Sequence, residues 1–134
     1  MEILRSSIVY VVDNDEAVRD STRALLESRG IEARTYASAQ DFLLASPSRR
    51  NACMLLDLHM PGMSGLELLE MLRVLGRELP VVAITGRGDF LLMRHAVRAG
   101  AAVLLEKPVS AEMLLDALVR ALSRAEFPPL RKST

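Results

Sequence analysis

Apolar positions gather in five short runs, at 8–12 (IVYVV), 32–36 (EARTY, the weakest), 52–56 (ACMLL), 80–84 (PVVAI) and 102–106 (AVLLE). A run that is apolar throughout, with no polar alternation, predicts a strand covered on both faces. Between the runs the period changes. Leu114, Ala117, Leu118, Ala121 and Leu122 recur at i, i+3, i+4, i+7 and i+8, the stripe of an amphipathic helix. Leu68, Leu69, Leu72 and Leu75 mark another such face, and Val18, Leu25 and Leu26 a third. Gly30, Gly76 and Gly100 stand where helices would end. Five strand-like and five helix-like segments alternate, which predicts βαβ units, a parallel sheet and right-handed crossovers. The fold class is therefore α/β, a doubly wound five-stranded parallel sheet.

Composition narrows this picture in three ways. A chain of 134 residues fits one domain, read here as 1–125, followed by a linker or tail over 126–134 (EFPPLRKST). Seventeen basic and seventeen acidic residues give a formal net charge of zero, which argues against direct nucleic-acid binding, since that draws on phosphate neutralisation. The single cysteine, Cys53, lies inside an apolar run and has no internal disulfide partner, which fits a reducing compartment. No apolar run reaches the roughly 18 residues that span a bilayer, and MEILRSS lacks the basic and apolar regions of a signal peptide. These features predict a cytoplasmic protein with no membrane partner.

The chemistry-bearing residues sit where the strands end. Asp13, Asn14 and Asp15 follow the first strand, Asp57 the third, Thr85 the fourth, and Lys107–Pro108 the fifth. Open α/β sheets build their sites at the carboxyl ends of strands. With strand order 2-1-3-4-5, strands 1 and 3 are neighbours, and Asp13 and Asp57 converge. Two ionised carboxylates a few ångströms apart repel, so the pair needs a cation or a raised pKa. Lys107 and a hard divalent ion, Mg²⁺ or Mn²⁺, would supply the positive charge. Each residue also has a plainer role. Asp15 or Asn14 can cap the first helix, Asp57 can be a turn residue before Pro61, Thr85 an N-cap, and Lys107 a surface lysine. What singles them out is their joint placement on four strand ends. Arg87–Asp89 (RGD) carries no adhesion reading in a chain with no export signal. His59 and His95 are read as solvated and the methionines as core filler.

Taken together, VVDNDEAVR, LLDLHMPGMSGLELL, AITGRGD and EKPVS resemble the receiver domain of two-component response regulators, and most closely the nodulation and nitrogen-fixation type. The resemblance covers about residues 7–125. It implies transfer of a phosphoryl group from a sensor histidine kinase to Asp57 with Mg²⁺. It implies metal binding by Asp13, Asn14, Asp57 and the backbone carbonyl of His59. Thr85 would hydrogen-bond the phosphoryl group, Lys107 would pair with it, and the peptide bond before Pro108 would be cis. The surface of the fourth helix, fifth strand and fifth helix would be the output face, pairing two copies or acting on a DNA-binding effector domain that this sequence does not contain.

Two positions depart from the family pattern. Asn14 stands where a second acid is usual, so the pocket keeps an oxygen ligand and loses a charge; Asp15 is open to either compensating or capping. Leu104 replaces the usual switch ring, three residues before Lys107. These motivate an alternative reading, a pseudo-receiver that serves as an interaction module with weak or no phosphorylation. In the fourth helix, Phe90, Met93 and Val97 are read as the core face, with Leu91 and Leu92 as surplus apolar surface beside Arg94 and Arg98. A flavodoxin-like FMN site does not fit, because carboxylates after the first strand would repel a phosphate. A haloacid-dehalogenase-type phosphatase does not fit either, since His59 stands where its second Asp belongs.

Overall fold

The computed structural model of the chain describes residues 2–47 and 51–126. In chain order the elements are α1 (Glu2–Arg5), β1 (Ile8–Val12), α2 (Glu16–Ser28), β2 (Glu32–Tyr36), α3 (Ala39–Ala45), β3 (Ala52–Asp57), α4 (Gly65–Val74), β4 (Val81–Thr85), α5 (Phe90–Arg98), β5 (Val103–Glu106) and α6 (Ala111–Glu126). The strands form one parallel sheet in the order β2-β1-β3-β4-β5, the doubly wound arrangement that the alternation of runs predicts.

Position in the sheet explains the strength of each run. β1 and β3 are central, and all their residues are buried. β2 is an edge strand, so EARTY can afford Glu32 and Arg34 on its open side, where they pair at 3.2 Å. Alternate residues of the central strands feed opposite faces. Ile8, Tyr10, Val12, Met54 and Leu56 pack with Phe42 of α3, Leu68, Leu69 and Leu72 of α4, and Ala96 of α5. Val9, Val11, Cys53, Leu55 and Val82 pack with Leu26 of α2 and with Leu114, Leu115, Leu118 and Leu122 of α6. Cys53 is fully buried, and burial pushes its thiol up to about 12, which makes it an inert core residue.

The structure departs from the sequence expectations at several places. α1 was not expected: its four residues are too short for a helical period to register, yet Leu4 is fully buried in the α2/α6 layer. In α5 the expected core face is turned outward. Phe90 is 74% and Val97 60% exposed, whereas Ala96 is buried and Leu92 packs inward. Apolar residues ring this helix, so two stripes compete, and small Ala96 and Ala99 let the backbone approach the sheet closely. Val18, assigned to the buried face of α2, is instead 43% exposed beside the cleft described below. Met54 and Met60 are buried, but Met71 and Met113 are 38% and 43% exposed. The expected tail at 126–134 lies, beyond the last residue of α6, outside the described residues.

Candidate functional site

The site follows from strand register. Val12 of β1 pairs with Leu56 of β3, so the next residue on each strand, Asp13 and Asp57, emerges at the same sheet edge as its neighbour. Thr85 of β4 pairs with Glu106 of β5, and the Lys107 amide donates to the Thr85 carbonyl at 2.9 Å. Four sequence-distant residues are thereby gathered at the carboxyl edge of the sheet. Both carboxylates and the threonine are buried.

Local hydrogen bonds orient the acids. Asp13 Oδ1 accepts the Asp15 amide at 2.8 Å, and the Asp13 carbonyl accepts Arg19 Nη1 at 2.7 Å. Asp15 itself caps α2 by accepting the Val18 amide at 3.2 Å. Asn14, between them, is exposed. Asp57 Oδ1 accepts the His59 amide at 3.0 Å and lies 3.8 Å from Lys107 Nζ. The Lys107–Pro108 peptide bond is cis.

The electrostatics are those of crowded acids. Burial raises the pKa of Asp13 above its ordinary value, and the neighbouring Asp57 carboxylate raises it further; the Asp15 amide and Lys107 work in the opposite direction. Lys107 is half-exposed, which weakens its hold on the pair.

The backbone behind Asp57 is fixed by a residue that the sequence did not single out. Gly65 opens α4 directly against β3: a Cβ there would lie 2.4 Å from the Asp57 carbonyl oxygen and 2.6 Å from the Leu58 Cα. Only glycine lets the helix sit this close, so Gly65 helps hold the loop that presents Asp57. The clue was its place in MSG just before an apolar helix, but the reason for it is a contact eight positions away in the chain.

His59 is a second surprise. It was read as solvated, and its ring is about half-exposed, but Nε2 lies 3.2 Å from Thr85 Oγ1 and 3.7 Å from Asp89 Oδ2. Asp89, the last residue of the RGD tripeptide, caps α5 by accepting the Leu92 amide at 3.3 Å. Thr85 is thus no helix cap. Leu104, opposite Ala83 on β4, is partly buried against the layer that holds α5.

A cavity of about 450 Å³ opens beside the acids. Asp13, Asp57 and Lys107 form its polar end, and Val11, Val18, Ile84, Val109 and Leu114 line its apolar side. The groups at the polar end that could ligate a cation are the oxygens of the two carboxylates, Asp13 and Asp57. Among the described residues no three His, Cys, Asp or Glu side chains converge as a metal cluster. A small hard cation such as Mg²⁺, which keeps several waters and needs one or two carboxylates, fits such a set.

Comparison with known proteins places this geometry in context. The family model described as the response regulator receiver domain matches residues 9–119. The transcriptional regulatory protein FixJ of Azorhizobium caulinodans is 41% identical over 117 residues, covering 87% of this chain and 56% of that protein. The response regulator protein TodT of Pseudomonas putida is 36% identical, covering 90% of this chain and 53% of that protein. The chain therefore spans about half the length of these curated relatives. Among solved structures, FixJ-N superimposes with a TM-score of 0.83 at 38% identity, covering 87% of this chain and 94% of that one. The response regulator StyR does so with a TM-score of 0.83 at 40% identity, covering 90% and 61%.

The raised pKa of Asp13 sets a pH dependence. The folded state holds its proton to a higher pH than the unfolded state, whose carboxylate titrates near 3.8. Stability contributed by this group is therefore lost as pH rises from about that value through the folded pKa. Asp13→Asn removes the effect. Urea denaturation in metal-free buffer should show the variant more stable than wild type at pH 7, with the gap closing toward pH 4; a variant less stable at pH 7 would contradict the crowding account.

Proposed function

The chain belongs to the response regulator receiver domain family, and on that premise we propose that it accepts a phosphoryl group from a sensor histidine kinase on Asp57 and passes the change to its α5–β5–α6 face. The observation that carries the proposal is the buried Asp13–Asp57 pair with Lys107 Nζ 3.8 Å from Asp57 Oδ1. Phosphoryl transfer asks for a positioned nucleophile and positive charge around the transferred oxygens, and these residues suit both needs.

In the step proposed, an Asp57 carboxylate oxygen attacks phosphorus in line. An O–P bond forms as the N–P bond of a phosphohistidine breaks, and the leaving imidazole takes up a proton. Lys107 offsets charge on the phosphoryl oxygens, and Thr85 offers its hydroxyl to one of them. Asp13, Asn14, Asp57 and the His59 carbonyl would hold Mg²⁺ or Mn²⁺. That ion, when bound, adds further positive charge at the phosphoryl oxygens. Asp57→Asn should abolish phosphate incorporation from acetyl phosphate, read by intact-protein mass spectrometry; undiminished labelling of the variant would remove the proposed acceptor.

Asn14 gives this pocket one negative charge fewer than an acid would. Ligand charge tunes the affinity of hard cations. Asn14→Asp should therefore tighten Mg²⁺ binding about tenfold by calorimetry, and equal or weaker affinity would mean that another group already fills the role. The same residue favours a second reading, an interaction module that keeps the fold with little phosphorylation; unlabelled wild type would select it.

The output we propose is transcriptional, exerted through a DNA-binding effector domain, in line with the names of the curated relatives. Reversible pairing of two copies would use the first turns of α5. Phe90 (74% exposed) and Leu91 (65%) form an apolar patch there, beside exposed Arg94 and Arg98. Leu91→Glu should shift a phosphorylated dimer to monomer in sedimentation velocity; a dimer untouched by the change would move the interface elsewhere. No helix among the described residues is long and apolar enough to cross a membrane.

A further inference from the structure

Thr85 has two claimants. Its hydroxyl is the group proposed to meet the phosphoryl oxygens, yet in this structure it lies 3.2 Å from His59 Nε2. Whichever ring nitrogen carries the proton, one of the two groups can donate to the other. The half-exposed ring has two polar neighbours on Nε2, Thr85 and Asp89. It stands beside Gly86, where an added Cβ would come within 3.5 Å of Nε2. Its backbone amide is tied to Asp57 Oδ1 at 3.0 Å, so the acceptor aspartate and the ring share one short segment. On the far side, Nε2 is 3.7 Å from Asp89 Oδ2, while Oδ1 of the same carboxylate caps the first turn of α5. The Gly88 amide is meanwhile anchored on the Glu106 carboxylate of β5. The loop between Thr85 and α5 is therefore pinned at both ends by side chains, and one of those pins is a histidine next to the acceptor.

We propose that the His59 side chain is a latch: it holds the Thr85 hydroxyl in the resting state, competes with the incoming phosphoryl group for it, and on release turns toward Asp89 and alters the first turn of α5. His59 is thus a positioning residue acting through Thr85. Its consequences lie on two links of the chain from structure to function. Breaking the latch must precede, or accompany, capture of the phosphoryl oxygen by Thr85, which slows phosphorylation. The freed imidazole then has the Asp89 carboxylate as its nearest polar partner, and that carboxylate orients the helix carrying Phe90 and Leu91. This polar route reaches α5 without a ring at position 104, where the chain has leucine.

The inference rests on Asp57 being the acceptor, and the experiment separates the two. Wild type, His59→Ala and His59→Gln are treated with acetyl phosphate and Mg²⁺, and incorporation is followed by intact-protein mass spectrometry. The His59 side chain is about half-exposed, so both substitutions leave the core intact. Loss of one net hydrogen bond predicts that His59→Ala is phosphorylated about two- to fivefold faster than wild type. His59→Gln, whose amide can still reach the hydroxyl, should return toward the wild-type rate, and the gain from His59→Ala should vanish in a Thr85→Val background. The amide resonance of Leu92 reads the second half of the proposal: its shift on phosphorylation in wild type should shrink in His59→Ala. Labelled wild type with His59→Ala no faster, with His59→Gln behaving like His59→Ala, or with an undiminished Leu92 shift overturns the latch and leaves the acceptor assignment standing. Unlabelled wild type overturns the acceptor assignment and the latch together.

Discussion

Two carboxylates that repel each other are held side by side by the backbone. The β1–β3 register places Asp13 and Asp57 at one sheet edge, and the hydrogen bonds of two fully buried strands enforce that register. The backbone positions that carry the pair cannot move apart without slipping the central ladder, and a one-residue slip would turn every core side chain to the wrong face. The rest of the site answers this constraint. Part of the cost is met by the raised pKa of Asp13, part by amides donated to Asp13 and Asp57, and part by Lys107. What is left over favours a hard cation and a group that welcomes positive charge around it, which is the electrostatic situation of a transferring phosphoryl group.

Position 14 adjusts the same balance. An acid there would deepen the negative potential, whereas the exposed Asn14 leaves the pocket shallower. A receiver built this way would bind its ion more weakly and rely more on Asp13, Asp57 and Lys107. One oxygen of the neighbouring Asp15 is engaged by the Val18 amide of α2. The departure at position 104 concerns the opposite end of the signal. Leu104 packs against the layer containing α5, so it can change rotamer but brings no hydroxyl or ring to the surface, and the polar contacts of the Thr85–Asp89 loop become the more direct connection between the acids and α5.

How much of this could be read in the sequence depended on where the deciding contact lies. The strands were legible because burial on both faces leaves an uninterrupted apolar run, and even edge strand β2 kept a trace of it. The acids, Thr85 and Lys107 were legible because strand ends are fixed once strands are, so topology alone brings them together. The polarity of α5 was not, since Phe90, Leu91, Leu92, Met93 and Val97 surround the helix and only the sheet beneath decides which of them turn inward. α1 escapes the pattern because four residues carry no period, and its buried anchor, Leu4, belongs to the layer that includes α6 at the other end of the chain. Gly65 and His59 share a different difficulty. Their meaning lies in contacts to the Asp57 backbone and to Thr85, which no local pattern encodes.

In the proposed function the Asp13–Asp57–Lys107 cluster acts as a cation-assisted phosphoacceptor. Intact-protein mass spectrometry of the wild-type chain after exposure to acetyl phosphate, with Mg²⁺ and with Mg²⁺ removed by chelation, tests it most directly. A single phosphoryl group should be added in the presence of Mg²⁺, and little or none after chelation. Equal labelling in both conditions, or no labelling in either, would contradict it.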